Sequence, residues 1–186
     1  MRTVTSLRFD AGSVSLNLVA TVGRRSGDPV ERLTSTERLR DWLEGVGLPP
    51  PEHLTEDDLA RARALRESLH QLFHDTLARR PPDVAALRAV NAAVSACPPG
   101  LAAGEDGVTL STRSSEAVLA VVAADAIRIL AGTERLDVRI CEADDCRMLF
   151  LGHGQRARRW CSSERCGNRA RVSAHRARAA RETQHR

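Results

Sequence analysis

The chain has 186 residues, of which 42% are hydrophobic and 28% charged, and this balance excludes both disorder along the whole length and two large domains. Aromatic residues make up 3% and tyrosine is absent, which argues against a sheet or barrel that stacks unpaired bases on exposed rings. No apolar run approaches the length of a membrane span and the N-terminus lacks a secretory apolar core, so we expect a soluble, cytoplasmic protein without a membrane partner.

Helical patterns fill most of the first 134 residues. Four helices are predicted over residues 15–22, 36–46, 55–79 and 83–96. We expect the second helix to begin with a capping box between Thr34 and Glu37, and the third with the corresponding pair Thr55 and Asp58. The double proline at 81 and 82 separates the third helix from the fourth.

A short hairpin and a buried helix complete this region. Residues 106–112 read as a hairpin strand, and residues 114–132 are apolar on nearly all sides, which predicts a helix surrounded by the others. Residues 1–134 are therefore predicted to form a mainly α domain with one small β-hairpin, followed by a second domain over residues 135–186.

The polar residues of the helical domain form no catalytic set. We interpret Asp125 as a carboxylate neutralised by an arginine from a neighbouring helix. His70 and His74 lack the glutamate of a zinc-protease motif, so we place them on the surface or at the edge of the core. Cys97, before a Pro-Pro turn, reads as a structural free thiol. The sequence gives no reason to expect an enzyme.

Positive charge is concentrated in the C-terminal third. Residues 1–134 hold 15 arginines against 18 acidic residues, whereas residues 135–186 hold 13 arginines against 6, which makes net charges of −3 and +7. Such a basic segment beside a nearly neutral domain favours a polyanionic partner, most often nucleic acid. The competing interpretation is a solvated helix face, since the absence of lysine also fits a coding bias toward arginine.

Four cysteines form two matched pairs in this basic region. Cys141 and Cys146 are followed, after a 14-residue spacer, by Cys161 and Cys166 with the same internal spacing. In a reducing compartment this pattern predicts a tetrahedral zinc site, with disulfides and an iron–sulfur cluster as the alternatives and His153 as a reserve ligand. Four protein ligands leave no open position for substrate, so we expect one structural Zn²⁺.

The order of elements around the cysteines is that of a treble clef. A strand over residues 136–140 leads into Cys141, residues 148–151 return as a second strand, and a helix begins near Cys166. Along a helix over residues 164–182, two stripes of arginine are predicted, one formed by Arg165, Arg169 and Arg176 and the other by Arg171, Arg178 and Arg181. The scarcity of large apolar residues between them suits a helix that contacts phosphates.

These residues resemble a known family. The segments that carry the resemblance are Cys166-Gly167-Asn168-Arg169, Arg158-Arg159-Trp160-Cys161, Cys141-x4-Cys146 and Leu149-Phe150-Leu151. Over residues 136–181 the chain is similar to the CGNR zinc-finger family, whose members usually carry an N-terminal helical ABATE domain, and residues 15–134 look like a divergent copy of that domain. Asn17 and Ala20 stand where that domain usually has Asp and Asn, and Gly152-His153-Gly154 replaces a common Asp and Ser.

The resemblance implies a zinc-dependent DNA-binding regulator of transcription, in agreement with the charge and the cysteines. We predict a sensing or dimerising helical domain, a zinc finger and a double-stranded DNA partner, with a homodimer as a further expectation. The predicted nucleic-acid contacts are Arg158, Arg159, Arg165, Arg169, Arg171, Arg176 and Arg178. The alternatives are an RNA-binding finger, a protein-interaction module, and a redox or metal sensor.

Overall fold

The computed structural model describes residues 5–96, 100–104, 107–111, 114–152 and 158–184. Within these ranges the protein is mainly helical with three two-stranded antiparallel hairpins, as the sequence predicted in outline. Two predictions, the thiol of Cys97 and the reserve ligand His153, concern residues outside the described ranges.

The described residues of the N-terminal region form five helices and two of the hairpins. The helices are α1 (Val14–Val19), α2 (Thr36–Gly45), α3 (Glu56–Leu77), α4 (Val84–Ala96) and α5 (Ser115–Ala131). The strands are β1 (Val22–Gly23), β2 (Val30–Glu31), β3 (Gly100–Gly104) and β4 (Gly107–Ser111). The hairpin predicted near residues 106–112 is confirmed as β3–β4, whereas β1–β2 was not predicted.

The helix caps differ from the prediction at one position. Thr55 and Asp58 form the predicted capping box at the start of α3. At α2, however, the cap is Ser35, whose Oγ accepts a hydrogen bond from the backbone N–H of Arg38 at 3.3 Å, so the predicted pair of Thr34 and Glu37 is wrong. Adjacent hydroxyl residues both suit a helix start, and the box pattern selected the wrong one.

The core lies where α1, α3, α4 and α5 pack on one another. Its largest fully buried side chains include Trp42, Phe73, Leu69 and Ile129. Helix α5 contributes buried residues on several sides, which confirms the prediction of an enclosed helix. None of the helices in the described ranges combines the length and hydropathy needed to cross a membrane.

The polar residues singled out in this region have structural partners. The carboxylate of Asp125 accepts hydrogen bonds from the backbone N–H and the hydroxyl of Ser15, at 3.0 and 2.6 Å. Its arginine partner is Arg128 of the same helix, so the expected partner from a neighbouring helix is wrong. The His70 and His74 rings lie 4.5 Å apart and both are half-buried, as expected for the edge of a core.

The C-terminal region begins with a 3₁₀ turn and ends with a long helix. The turn, Thr133–Asp137, covers the first two residues of the predicted strand and leaves β5 as Val138–Ile140. Strand β6 (Leu149–Leu151) pairs antiparallel with β5. A π-helical turn, Ser163–Gly167, then leads into α6 (Asn168–Gln184).

One hydrophobic cluster joins the two regions. Val138, Leu149 and Phe150 of the β5–β6 hairpin belong to the same buried cluster as Leu16 of α1 and Phe73 of α3. The predicted division after residue 134 therefore separates two stretches of sequence that share a packed interface.

Candidate metal centre and arginine-rich interface

Two tight turns present the first cysteine pair. The backbone N–H of Cys141 donates to the carbonyl of Met148 at 2.9 Å, which continues the β5–β6 ladder up to the cysteine. The N–H of Cys146 donates to the carbonyl of Ala143 at 2.9 Å, and Arg147 takes a left-handed φ of 50°. This turn returns the chain within five residues and brings both thiols to the same side.

The π-helical turn presents the second pair. The hydroxyl of Ser162 caps it by accepting from the N–H of Arg165 at 3.3 Å, and Gly167 donates to the carbonyl of Ser162 at 3.0 Å. Cys161 directly precedes this turn and Cys166 lies within it. The predicted helix start near residue 164 thus has a wider first turn than an α-helix.

The four thiols form one compact cluster. The Sγ atoms of Cys141, Cys146, Cys161 and Cys166 all lie within 4.8 Å of one another, and none is in a disulfide. The separations from Cys161 Sγ to Cys146 Sγ and to Cys166 Sγ are both 3.6 Å. Sulfurs at about 2.3 Å from a tetrahedral zinc are about 3.8 Å apart, so the cluster fits a four-coordinate metal.

Arginine N–H groups support the thiols. Arg8 donates to Cys161 Sγ at 3.3 Å, and Arg169 donates to Cys166 Sγ at 3.4 Å. Burial alone would lower the pKa of Arg8, but its hydrogen bond to Asp10 and the charge of Cys161 outweigh this effect and raise the pKa above its ordinary value, so the guanidinium remains charged. Positive charge at the sulfurs offsets the formal −2 of a divalent metal bound by four thiolates.

Asp10 connects the N-terminal segment to the finger. Its carboxylate accepts from Arg8 at 3.0 Å and from Arg165 at 2.7 Å. Burial opposes ionisation, but these two arginines lower the pKa of Asp10. The backbone adds a further link, because the N–H of Leu151 donates to the carbonyl of Ala11 at 2.8 Å.

The turn beside Ala11 requires glycine. Gly12 has a φ of +95°, and a Cβ at this position would lie 2.9 Å from Cβ of Leu151. The side-chain oxygen of Asn17 accepts a hydrogen bond from the backbone N–H of Ala11 at 3.0 Å. The side-chain amide of Asn17 therefore holds the N-terminal segment at Ala11 against α1. Sequence reasoning missed Arg8 and Asp10, which belong to no motif and lie about 150 positions from their partners.

Five of the seven predicted nucleic-acid arginines contact protein groups. Arg158 donates to the backbone carbonyls of Asp10 and Leu151 and lies 4.7 Å from the ring centroid of Phe150. The other four have the following partners: Arg159 pairs with Glu142, Arg165 with Asp10, Arg169 with Asp145, and Arg171 with the carbonyl of Ser163. Much of the positive charge in this region therefore supports the fold.

Arg176 and Arg178 differ from the others. Both are exposed on α6 and neither forms an ion pair within the described part of the chain. Arg165 lies within the π-helical turn, whereas Arg169 lies in α6, so the two residues do not share one regular α-helical stripe. Arg165 binds the carboxylate of Asp10, and Arg169 binds that of Asp145. Beyond Asn168 the backbone is α-helical, which places Arg176 and Arg178 about 200° apart around the helix axis, while the side chain of Arg181 lies outside the described part of the structure.

A cleft separates the finger from the β1–β2 hairpin. Its volume is about 420 Å³, and five arginines line it: Arg8, Arg24, Arg32, Arg165 and Arg169. Cys146 and Cys166 reach its wall, so the cleft adjoins the thiol cluster.

Two family models match the chain. Residues 12–133 match the ABATE model, described as "Putative stress-induced transcription regulator", and residues 138–179 match the CGNR zinc finger. No curated protein matches the chain significantly. The first match covers more than half of the sequence, and the second contains all four clustered cysteines. The chain therefore belongs to the ABATE family and carries a four-cysteine metal site of the CGNR zinc-finger type.

Proposed function

We propose that the protein is a zinc-dependent, DNA-binding regulator of transcription whose helical region senses a signal or dimerises. The observation that carries this proposal is the exposed, arginine-rich helix α6, which the metal site holds at the edge of the fold. The ABATE description supports a regulatory role.

The metal in this proposal is one structural Zn²⁺. Four sulfur ligands favour zinc in a cytosolic protein, and a closed set of four leaves no position for a substrate or a reactive water. Cys141, Cys161 and Cys166 are buried, which suits a site that holds the finger in shape. The proposal also gives the protein a non-catalytic role, because its sequence offers no set of acid, base and nucleophile.

Helix α6 has the composition of a surface that meets a polyanion. Its residues 171–176 are all exposed, and they include Arg171, Arg176 and a large apolar residue, Val172, which is 42% exposed. A helix of 17 residues extends about 25 Å, enough to lie along a DNA groove. Arginine supplies phosphate contacts and bidentate contacts to guanine in such a groove.

We include dimerisation in the proposal because a single finger would give little sequence specificity for DNA. One finger contacts few base pairs, whereas useful discrimination among genomic sites requires a larger interface. A homodimer joined through the helical region would present two α6 helices to two half-sites.

The test is fluorescence anisotropy of the zinc-loaded full chain on a mixed-sequence duplex, titrated from low to physiological salt. Arg176→Ala and Arg178→Ala are the informative variants because both residues are exposed and neither forms an ion pair within the described ranges. Arg169→Ala is unsuitable because Arg169 also binds Asp145 and Cys166. Arg88→Ala, an exposed arginine on α4, is the matched control.

We expect wild-type binding to weaken steeply with salt. Each phosphate contact contributes about 0.9 to the slope of log K against log salt, so losing one contact lowers the slope by about 1. Since Arg176 and Arg178 lie on nearly opposite sides of α6, unequal losses would identify the side that faces DNA. Equal binding by both variants and the control would contradict the proposal and favour an acidic protein partner, while stronger competition by duplex RNA would favour an RNA-binding finger.

A further inference from the structure

We infer that the cleft between the finger and the β1–β2 hairpin binds a small anion, a phosphate or carboxylate group, through the side chain of Arg32. This site is separate from α6 and goes beyond the proposed DNA contact. The inference begins with the partners of a single buried guanidinium.

Arg32 is buried and forms no ion pair with an acid in the part of the chain that the structure describes. The residue is 6% exposed, and the one acceptor for its guanidinium among the described residues is the carbonyl of Ala20, which Nη1 reaches at 3.2 Å. Its Nε is buried with no hydrogen-bond partner in that same part of the chain. The Nε–Nη2 edge of the guanidinium therefore has no acceptor among the described residues. Arginine can use this edge to bind a carboxylate or a phosphate through two parallel hydrogen bonds.

Three neighbouring carboxylates already have arginine partners. Glu31, next in sequence, accepts from Arg66 at 2.7 Å and from the backbone N–H groups of Arg32 and Leu33, both at 2.9 Å. Asp145 pairs with Arg169 at 2.8 Å, and Asp10 is shared by Arg8 and Arg165. Glu164 also lines the cleft, but it is exposed on the π-helical turn and forms no ion pair with Arg32 within the described residues.

Two of the four thiols have arginine donors of their own, since Cys161 accepts from Arg8 and Cys166 from Arg169. Arg32 lines the cleft with Cys146 but donates to no sulfur within the described residues, so hydrogen bonding to sulfur does not account for its position. Burial lowers the pKa of Arg32, and the nearby charge of Arg8 lowers it further. Burying donors without acceptors carries a free-energy cost, and a bound anion would remove it.

The local backbone shapes the site for this side chain. A Cβ on Gly23 would lie 2.4 Å from Nη2 of Arg32, so glycine in β1 gives the guanidinium its space. The cleft of about 420 Å³ is large enough for a small organic anion, and Arg24 lines its exposed side. Arg32 and Arg24 would therefore supply the inner and outer contacts.

The test is isothermal titration of the zinc-loaded full chain with inorganic phosphate and, in a separate arm, with acetate, at constant ionic strength. We expect saturable binding of one anion per chain, with the dissociation constant raised at least tenfold by Arg32→Gln and a few-fold by Arg24→Gln. Arg88→Gln should leave it unchanged. The stronger arm identifies the chemical group that the site prefers.

A second measurement covers the case in which Arg32→Gln fails to fold. In the wild-type protein, the ¹⁵N NMR signal of a buried arginine Nε–H should shift on addition of phosphate or acetate. Absence of both saturable binding and this shift would overturn the inference, as would equal binding by all three variants. Loss of zinc from Arg32→Gln without anion binding by the wild type would instead assign Arg32 to charge balance at the thiols. Displacement of the anion by duplex DNA would assign the cleft to a backbone phosphate and likewise overturn the small-ligand assignment.

Discussion

Helices α5 and α6 have the same length of 17 residues but are held in the fold by different means. Helix α5 is surrounded by other helices and buries eight of its residues, including Val122 and Ile129. Helix α6 has exposed side chains along its described middle and begins at a cysteine turn. Burial positions the first helix and the metal site positions the second, which leaves the second free to carry charge.

Metal removal is expected to have the largest effect and to act on the finger and α6 rather than on the helical region. Isolated helices of this length are marginal in water, and structural zinc contributes about 10–16 kcal/mol in finger peptides. Chelation should therefore lower the far-UV helical signal by the share of α6. It should also change the fluorescence of Trp160, which directly precedes Cys161 in the finger. The fully buried Trp42 of α2 should keep its emission.

The variant Trp160→Phe separates these two signals, because Trp42 is then the single tryptophan. A chelation-induced red shift in this variant would show that the helical region unfolds together with the finger. The contrast between the two helices would then fail.

Truncating a buried side chain of α5 should have the next largest effect. Ile129 is fully buried, and we expect Ile129→Ala to lower the free energy of unfolding by about 2–5 kcal/mol through lost burial and a residual cavity. The matched change Val172→Ala on α6 should cost less than about 0.5 kcal/mol because Val172 is largely exposed. Urea denaturation measures both, and similar losses would mean that α6 is packed against a partner.

Asp10→Asn tests the ionic link between the N-terminal segment and the finger. Removing the charge leaves Arg8 and Arg165 without their shared carboxylate, and we expect a loss of about 1–2 kcal/mol, since Asp10 keeps partial exposure to solvent. Asp41→Asn, which breaks the exposed pair with Arg38, is the control and should cost less than about 0.5 kcal/mol. Equal losses of unfolding free energy in Asp10→Asn and Asp41→Asn would mean that the ion pairs of Asp10 contribute no more than an ordinary surface pair.

The smallest expected effect concerns the pH dependence of α3. Burial, aided by the charges of Arg25 and His74, lowers the pKa of His70 from 6.5 to about 4. The unfolded chain binds this proton first, so the contribution of His70 is complete above pH 6.5 and declines as the pH falls toward 4. Solvent screening limits it to about 1 kcal/mol.

The comparison for this prediction is His70→Gln, which cannot take up the proton. Its urea midpoint should lose less between pH 6.5 and 4 than that of the wild type. Parallel curves for the two proteins would contradict the assignment of this decline to His70.

Local patterns predicted the features whose cause is local. The cysteine spacing predicted the thiol cluster because each pair is closed by a turn of fixed length, and the Thr55 cap followed from a reciprocal pair three residues apart. The π-helical turn was missed because one widened turn leaves the periodicity of side chains almost unchanged. Metal identity, the DNA contacts and the two-domain boundary remain predictions.

Polar contacts between residues far apart in the chain could not be predicted from the sequence. Arg8 and Asp10 lie in a segment without periodicity, and nothing near them indicates a thiolate or an arginine about 150 positions away. Arg32 was overlooked for a similar reason, because a two-residue strand gives too short a pattern to predict burial. Among 28 arginines, composition alone does not separate those that support the fold from those that are free to bind.

The hydrogen bond from Arg8 to Cys161 has a consequence for the order in which the protein folds. The two residues are separated by 153 positions, so during synthesis the segment around Arg8 exists long before its partner is made. Contacts of such high sequence separation form late, because the intervening chain must first close a large loop. The helical region can collapse early, whereas the metal site reaches its final surroundings only after the segment that contains Cys161 has left the ribosome.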